Sequence, residues 1–173
     1  MVDRRGMIGN FSIAAIFAVA LAAHPLRAQI VPANPPVRSP IAGASVAYLY
    51  PTQVAVSAGR PSAIALHFRV ASGLHINSHT PSNAFLIPTT LAFPAGVGVR
   101  LEAATYPAGS EMALPVDPTT KLSVYTGEFV VHARILAEAG HHAVQASLHY
   151  QACNDNECLP PKTIIVPIDV IGK

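Results

Sequence analysis

The feature that most constrains this 173-residue sequence is an alternation of apolar and polar side chains with a period of two. In its clearest example, Ile64, Leu66, Phe68 and Val70 alternate with Ala, His and Arg. Such alternation runs through residues 63–70, 97–103, 128–135, 143–151 and 163–170. Successive side chains of a strand point to opposite faces of a sheet, so this pattern predicts strands with one buried and one wet face.

Proline and glycine separate these runs at regular intervals. They fall in residues 71–73, 94–96, 107–109, 115–118, 139–140 and 160–161. Both residue types interrupt helices, so the one stretch left for a helix, residues 136–139, is too short to matter. About seven or eight short strands joined by turns predict an all-β fold, an antiparallel β-sandwich.

The first 28 residues have the features of a cleavable signal peptide. Arg4 and Arg5 precede an apolar run at residues 11–23, and Pro25 is followed by a small residue, Ala28, at the expected cut. A helix of that length would span only about 20 Å of a roughly 30 Å hydrocarbon core, which favours cleavage over a membrane anchor. The mature chain holds no further membrane span, so we expect a periplasmic or secreted protein.

The sequence divides into three parts. We expect a signal peptide at residues 1–28, an extended proline-rich lead-in at residues 29–44 and one domain at residues 45–173. Three of the 11 basic residues and one of the nine acidic residues lie in the signal, so the remainder is formally neutral. This balance gives no electrostatic reason to expect nucleic acid as a partner.

Cys153 and Cys158 are the residues whose chemistry needs an explanation. Asn154, Asp155 and Asn156 between them favour a turn, so the pair is predicted to straddle a hairpin and to form a disulfide. Closing so short a loop stabilises the fold by only about 2 kcal/mol, which favours thiol exchange over a structural staple. Exposed structural disulfides are common, so both interpretations of the pair, thiol exchange and a structural disulfide, stay open.

The ionisable neighbours of the cysteine pair have opposite effects on thiolate formation. Asp155 and Glu157 disfavour a thiolate, whereas Lys162 and His149 favour one if they face the sulfurs. His149 is an even number of residues from Cys153, so the two side chains would face the same side of a continuous strand. A solvent-facing strand histidine is the simpler interpretation.

The segment around the cysteines resembles the N-terminal periplasmic domain family of the membrane thiol reductase DsbD. The resemblance rests on Tyr150-Gln-Ala-Cys153, on Cys158-Leu-Pro160-Pro161 and on the strand that follows, and more weakly on residues 73–77 and 85–89. It implies an immunoglobulin-like sandwich with a reversible cysteine pair. Cys158 would then form mixed disulfides, Cys153 would resolve them, and Pro160 and Pro161 would shape the adjoining strand.

The resemblance also implies partners. Domains of this family take electrons from a thioredoxin-like donor fed through the membrane and pass them to periplasmic disulfide isomerases or cytochrome c biogenesis factors. The chain ends at Lys173, so the membrane reductase and the donor would be supplied in trans, or the domain has another use. The insert between the cysteines is one residue shorter than in the best-known member. Residues 111–125 take the place of an aromatic cap loop, with Met112, Leu114 or Tyr125 as candidates to shield the sulfurs.

Two other functions remain as alternatives. One is a secreted immunoglobulin-like binding module whose disulfide is purely structural, and the other is a metal carrier using histidines with the cysteine pair. The histidines show no metal-binding spacing, and His141-His142 lies in a predicted turn, so we expect no metal site and no cofactor. No hydrolase or phosphate-loop motif is present.

Overall fold

A computed structural model describes residues 44–50, 52–114 and 117–173. The predicted signal peptide and all but the last residue of the predicted lead-in lie outside these ranges. Within them the chain forms twelve strands and no helix. The strands are β1 Val46–Tyr48, β2 Thr52–Val56, β3 Ser62–Val70, β4 His75–Asn77, β5 Thr90–Ala92, β6 Val99–Thr105, β7 Ser110–Leu114, β8 Asp117–Tyr125, β9 Glu128–Ala137, β10 Gly140–Tyr150, β11 Ala152–Cys153 and β12 Lys162–Gly172. The described residues contain no helix that is long and apolar enough to cross a membrane.

The first sheet has the strand order β1-β3-β9-β6, and all its pairs are antiparallel. Its centre is the β3–β9 pair, in which Leu66 lies opposite Val131 and Phe68 opposite Phe129. The rings of these two phenylalanines stack with centroids 5.3 Å apart. The apolar residues of both strands therefore point to the same face, as the period-two pattern predicts.

The second sheet has the order β2-β12-β10-β5. Strands β10 and β12 form a long antiparallel hairpin, in register from Gly140 opposite Gly172 to Tyr150 opposite Lys162. Strand β2 joins the edge of β12 in parallel, which the sequence pattern did not indicate. The cysteine segment lies at the tip of the β10–β12 hairpin, beyond the last pair.

The core lies between these two sheets. The alternating residues of β3, β9, β10 and β12 are buried in one hydrophobic cluster: Ile64, Leu66, Phe68, Val70, Phe129, Val131, Ala133, Ile135, Ala137, Val144, Ala146, Leu148, Tyr150, Val166, Ile168 and Val170. The intervening residues are exposed or half-buried. The predicted all-β, immunoglobulin-like sandwich is therefore confirmed, with β2–β12 as a parallel pair within it.

A third sheet has the order β11-β4-β8-β7 and was not predicted. Strands of two to five residues, such as β4 and β11, are too short to show a period, so the expected strand number was too low. Pro118 was predicted to lie between strands, but it lies inside β8. It is close to the register shift beside Leu114, where a missing backbone N–H is tolerated. The predicted turn at His141-His142 was also wrong, because β10 begins at Gly140 and includes both residues.

Candidate active site

The two cysteines form a disulfide that closes a tight hairpin. Their Cα atoms are 3.9 Å apart, and the residues form an isolated antiparallel bridge. Outside the bridge, the Leu159 N–H donates to the Ala152 carbonyl at 2.8 Å. The predicted disulfide-closed hairpin is confirmed.

Asn154 shapes the turn between the cysteines. Its backbone N–H donates to the carbonyl of Glu157 at 2.9 Å. Its side-chain Oδ1 accepts the N–H groups of Asn156 and Glu157, each at 2.8 Å. A side-chain oxygen that accepts from the backbone two residues on is the Asx-turn arrangement, which accounts for the asparagine at this position.

The two sulfur-bearing residues differ in their access to solvent. Cys153 is only 2% exposed, whereas Cys158 is exposed. The cause is topological, since β11 pairs with β4 inside the third sheet while Cys158 lies on the outer arm of the hairpin. A partner thiolate can therefore reach Cys158 more readily than Cys153.

The hairpin is tied to β4 and to the loop after it. The Gln151 Nε2 group donates to the Leu159 carbonyl at 3.3 Å. The Asn77 Nδ2 group donates to the Ile87 carbonyl at 3.0 Å and approaches Gln151 Oε1 at 3.4 Å. Residues 78–89 thus reach the face of the third sheet that carries Asn77 and, by parity, Cys153.

His75 lies opposite Cys153 in the β4–β11 ladder and is 3% exposed. Burial lowers the pKa of its imidazole, and the negative charge of Asp155 acts in the other direction. Sequence reasoning placed His75 only inside a weakly matching segment and assigned it no role. Its proximity to Cys153 depends on strand pairing, which no local pattern encodes.

Comparison with known proteins assigns the family. The family model for the N-terminal part of the thiol:disulfide interchange protein DsbD matches residues 46–169, which is well over half of the chain. The chain belongs to the DsbD N-terminal domain family.

Two solved structures are similar to this DsbD-family domain. The N-terminal domain of Neisseria meningitidis DsbD, crystallised in the reduced form, is 18% identical, with 66% of this chain and 82% of that chain covered and a TM-score of 0.45. The N-terminal periplasmic domain of Proteus mirabilis ScsB is 13% identical, with 65% and 42% covered and a TM-score of 0.46. No curated protein sequence matches the chain.

The residues expected to support the pair lie at the end of β10, on the outer arm of the hairpin and at the start of β12 in this DsbD-family domain. His149 is in register with Thr163, and its Nδ1 lies 3.0 Å from the Thr163 hydroxyl. The chain leaves the second sheet after Tyr150, so the strand parity that suggested a link from His149 to Cys153 does not continue. Pro160 and Lys162 are exposed, and Lys162 lies opposite Tyr150 in the last pair of the hairpin.

Tyr150 belongs to the core, with 1% of its surface exposed. Burial raises the pKa of its phenol, and hydrogen bonds with the Ser45 side chain and the Val46 backbone oppose that shift. Tyr150 therefore packs at the base of the cysteine hairpin and links it to β1.

The candidates for a cap over the sulfurs are placed as follows. Tyr125 is in register with Ile76, so it faces away from Cys153, and its hydroxyl accepts the His79 N–H and donates to the Pro107 carbonyl. Met112 is on β7, two strands from β4, and the side chain of Leu114 lies outside the described part. Tyr125 therefore does not shield the pair.

The residues that the structure describes hold no group of three or more His, Cys, Asp or Glu side chains placed to bind a metal ion. His141 and His142 diverge, the first toward Asp169 at 3.6 Å and the second toward the Glu138 carbonyl at 3.1 Å. What the site offers chemically is one disulfide between an exposed cysteine and a buried cysteine, with a buried imidazole opposite the buried one.

Proposed function

We propose that this protein performs thiol–disulfide interchange and relays electrons through a reversible Cys153–Cys158 pair. The observation that carries the proposal is the unequal exposure of the two cysteines, 2% for Cys153 against an exposed Cys158, in a member of a thiol:disulfide interchange family. Exchange requires one sulfur that a partner can reach and a second sulfur that can displace the partner afterwards.

In the proposed cycle a thiolate of a thioredoxin-like donor attacks the Sγ of Cys158, and Cys153 leaves as a thiolate. A second donor thiolate then attacks the donor sulfur of the mixed disulfide, so the donor departs as a disulfide and the pair is left as a dithiol. The Cys158 thiolate next attacks a client disulfide, and Cys153 closes the bridge again and releases the reduced client. Two electrons pass from donor to client in each cycle.

The partners and location belong to the same proposal. The donor would be a thioredoxin-like protein fed by a membrane thiol reductase, and the clients would be periplasmic proteins with disulfides, including those of cytochrome c biogenesis. The predicted signal peptide and the oxidised pair both fit a periplasmic location.

The test is reduction of the folded protein by a thioredoxin. Reduced thioredoxin is mixed with the oxidised protein, and the thiols of each are trapped by alkylation at equilibrium. We expect a reduction potential above about −300 mV, since structural disulfides of exported proteins lie below that value. A bridge that stays closed in the folded protein under excess reduced thioredoxin would leave a binding module with a structural disulfide.

Single-cysteine variants test the assignment of the two sulfurs. Cys153→Ala, with Cys158 activated as its thionitrobenzoate adduct, should capture a thioredoxin that lacks its second cysteine as a stable mixed disulfide. The matched Cys158→Ala variant, which keeps only the buried Cys153, should capture the same thioredoxin at least about tenfold more slowly. Equal capture by the two variants would contradict the assignment.

A further inference from the structure

Two buried side-chain atoms near the disulfide have no hydrogen-bond partner. Among the described residues they are Nε2 of His75 and Oδ1 of Asn77, which lie two residues apart on β4. Buried polar atoms are nearly always paired, because an unpaired one costs roughly 1–3 kcal/mol. An unpaired imidazole nitrogen therefore needs an explanation, and its surroundings supply one.

The register of the third sheet places His75 beside the buried sulfur. His75 and Cys153 are directly opposite in the antiparallel β4–β11 pair. Residues in this relation project to the same face, with Cβ atoms about 4.5–5.5 Å apart. Both side chains are shielded from water, with 3% of His75 and 2% of Cys153 exposed. Water therefore does not readily compete with an interaction between the two.

Burial favours the neutral form of the imidazole in the oxidised protein. Burial lowers the pKa of His75, and Asp155 in the cysteine turn partly offsets that effect. On the other flank, the β8 neighbour Tyr125 is in register with Ile76 and faces the opposite side of the sheet. A neutral imidazole keeps one ring nitrogen free to accept a proton.

The proposed cycle has one step that needs such an acceptor. When the dithiol has attacked a client, Cys153 must become a thiolate to attack Cys158 and free that client. A thiol as buried as Cys153 ionises reluctantly, because burial disfavours its charged form. Cys158, being exposed, can lose its proton to water.

We propose that Nε2 of His75 accepts the thiol proton of Cys153 when the pair recloses, an inference that rests on the proposed exchange function. In this step the Cys153 S–H proton moves to Nε2, and the Cys153 sulfur forms a bond to the Cys158 sulfur. The bond between Cys158 and the client sulfur breaks, and the client leaves as a thiolate. The imidazolium then passes its proton to the client thiolate or to water. In the reverse direction, Nε2 must first take up a proton from water or from the attacking thiol, and the resulting imidazolium returns that proton to the Cys153 sulfur as this sulfur leaves.

The test measures the reclosing step with a small disulfide in place of the client. One equivalent of 5,5′-dithiobis(2-nitrobenzoate) is mixed with the reduced protein in a stopped-flow instrument. Attack by Cys158 releases the first thionitrobenzoate, and closure by Cys153 releases the second in a phase whose rate is independent of reagent concentration. The Cys153→Ala variant should release only the first, which identifies the second phase.

We expect His75→Gln to slow the second phase about tenfold at about pH 6 and to match the wild type near pH 9. An unassisted thiol loses about tenfold in thiolate fraction for each pH unit below its pKa. The matched control is His132→Gln, which removes an exposed histidine of β9 and should keep the wild-type profile. Identical pH profiles for wild type and His75→Gln would overturn the proposal.

A measurement on the unaltered protein guards against misfolding of the variant. The ring ¹⁵N shifts of His75 are followed by NMR across pH in the oxidised and reduced states. Because the reduced state supplies a thiol partner, the titration midpoint of His75 should move upon reduction, with the ring signals of the exposed His132 as an internal reference. A His75 titration that is the same in both states would contradict the inference.

The reagent makes this test independent of the biological partner. A bridge that thioredoxin cannot open, combined with His75-dependent closure, would overturn the proposed function and leave the proton transfer standing. A bridge that thioredoxin opens, combined with closure indifferent to His75, would do the reverse.

Discussion

At the scale of single residues, Cys153 and Cys158 are joined by one bond but meet different surroundings. Cys153 lies in a strand of the third sheet, opposite His75, and Cys158 lies on the exposed arm of the hairpin. A five-residue separation in sequence thus spans the boundary between interior and solvent. In the proposed cycle, this difference directs the attacking partner to Cys158 and leaves the reclosing role to Cys153.

His75 also makes the stability of the fold depend on pH. Because its pKa in the fold lies below the ordinary value of about 6.5, the unfolded chain binds more protons in acid. The stability that the fold gains by keeping His75 neutral is therefore fully present above about pH 6.5 and is lost as the pH falls below it. We expect the oxidised wild type to lose more unfolding free energy than His75→Gln between about pH 7.5 and about pH 5.

Urea denaturation followed by far-UV circular dichroism at each pH measures this loss. His132→Gln serves as the control and should lose as much as the wild type, since His132 is exposed on β9. The prediction fails if wild type and His75→Gln lose stability in parallel.

At the scale of elements, the β10–β12 hairpin and the cysteine turn at its tip act as two linked units. The long ladder from Gly140 to Tyr150 is held by the core, so it does not need the disulfide to stay paired. The tip has few internal bonds of its own and relies on Asn154 to bring the cysteines together. Local order in the turn should therefore bear on the redox equilibrium more than on global stability.

We expect Asn154→Ala to shift the equilibrium between disulfide and dithiol toward the dithiol by about fivefold. Loss of the two bonds accepted by Asn154 Oδ1 weakens the turn by about 1 kcal/mol, which corresponds to that factor. Alkylation after equilibration in glutathione buffers gives the ratio directly.

Asn156→Ala is the matched control in the same turn, because only the backbone N–H of Asn156 takes part in these bonds. It should leave the ratio close to that of the wild type. An equal shift in both variants would show that the turn depends on composition and not on the Asn154 oxygen.

At the scale of the whole molecule, two sheets enclose one hydrophobic core, and the third sheet carries the cysteine site at its margin. Most of the core residues come from β3, β9, β10 and β12, and neither cysteine belongs to this cluster. A disulfide outside this cluster can open and close, as the proposed function requires, while the sandwich remains folded.

We accordingly expect reduction of the bridge to lower the unfolding free energy by about 2 kcal/mol, with the fold retained. Chain entropy predicts that amount for a loop of about six residues. Urea denaturation of the wild type with and without excess reductant measures it, and the double variant Cys153→Ala/Cys158→Ala should be indifferent to the reductant. Unfolding of the protein on reduction would instead make the bridge a structural staple.

Sequence alone predicted the parts whose information is local. The faces of β3, β9, β10 and β12 could be read because each strand is long enough to repeat its pattern. The disulfide hairpin could be read because turn-forming residues separate Cys153 from Cys158 by a short loop. The turn predicted at His141-His142 was wrong because Gly140, a residue type that often interrupts strands, here begins β10.

Tertiary structure alone decided the surroundings of the sulfurs. Strands β4 and β11 are too short to carry a period, and their pairing joins segments far apart in the chain, so His75 could not be placed beside Cys153 in advance. The unequal burial of the cysteines follows from the same pairing. The physical reason is that side-chain alternation records which face a strand buries, whereas the identity of its neighbour depends on how the whole chain packs.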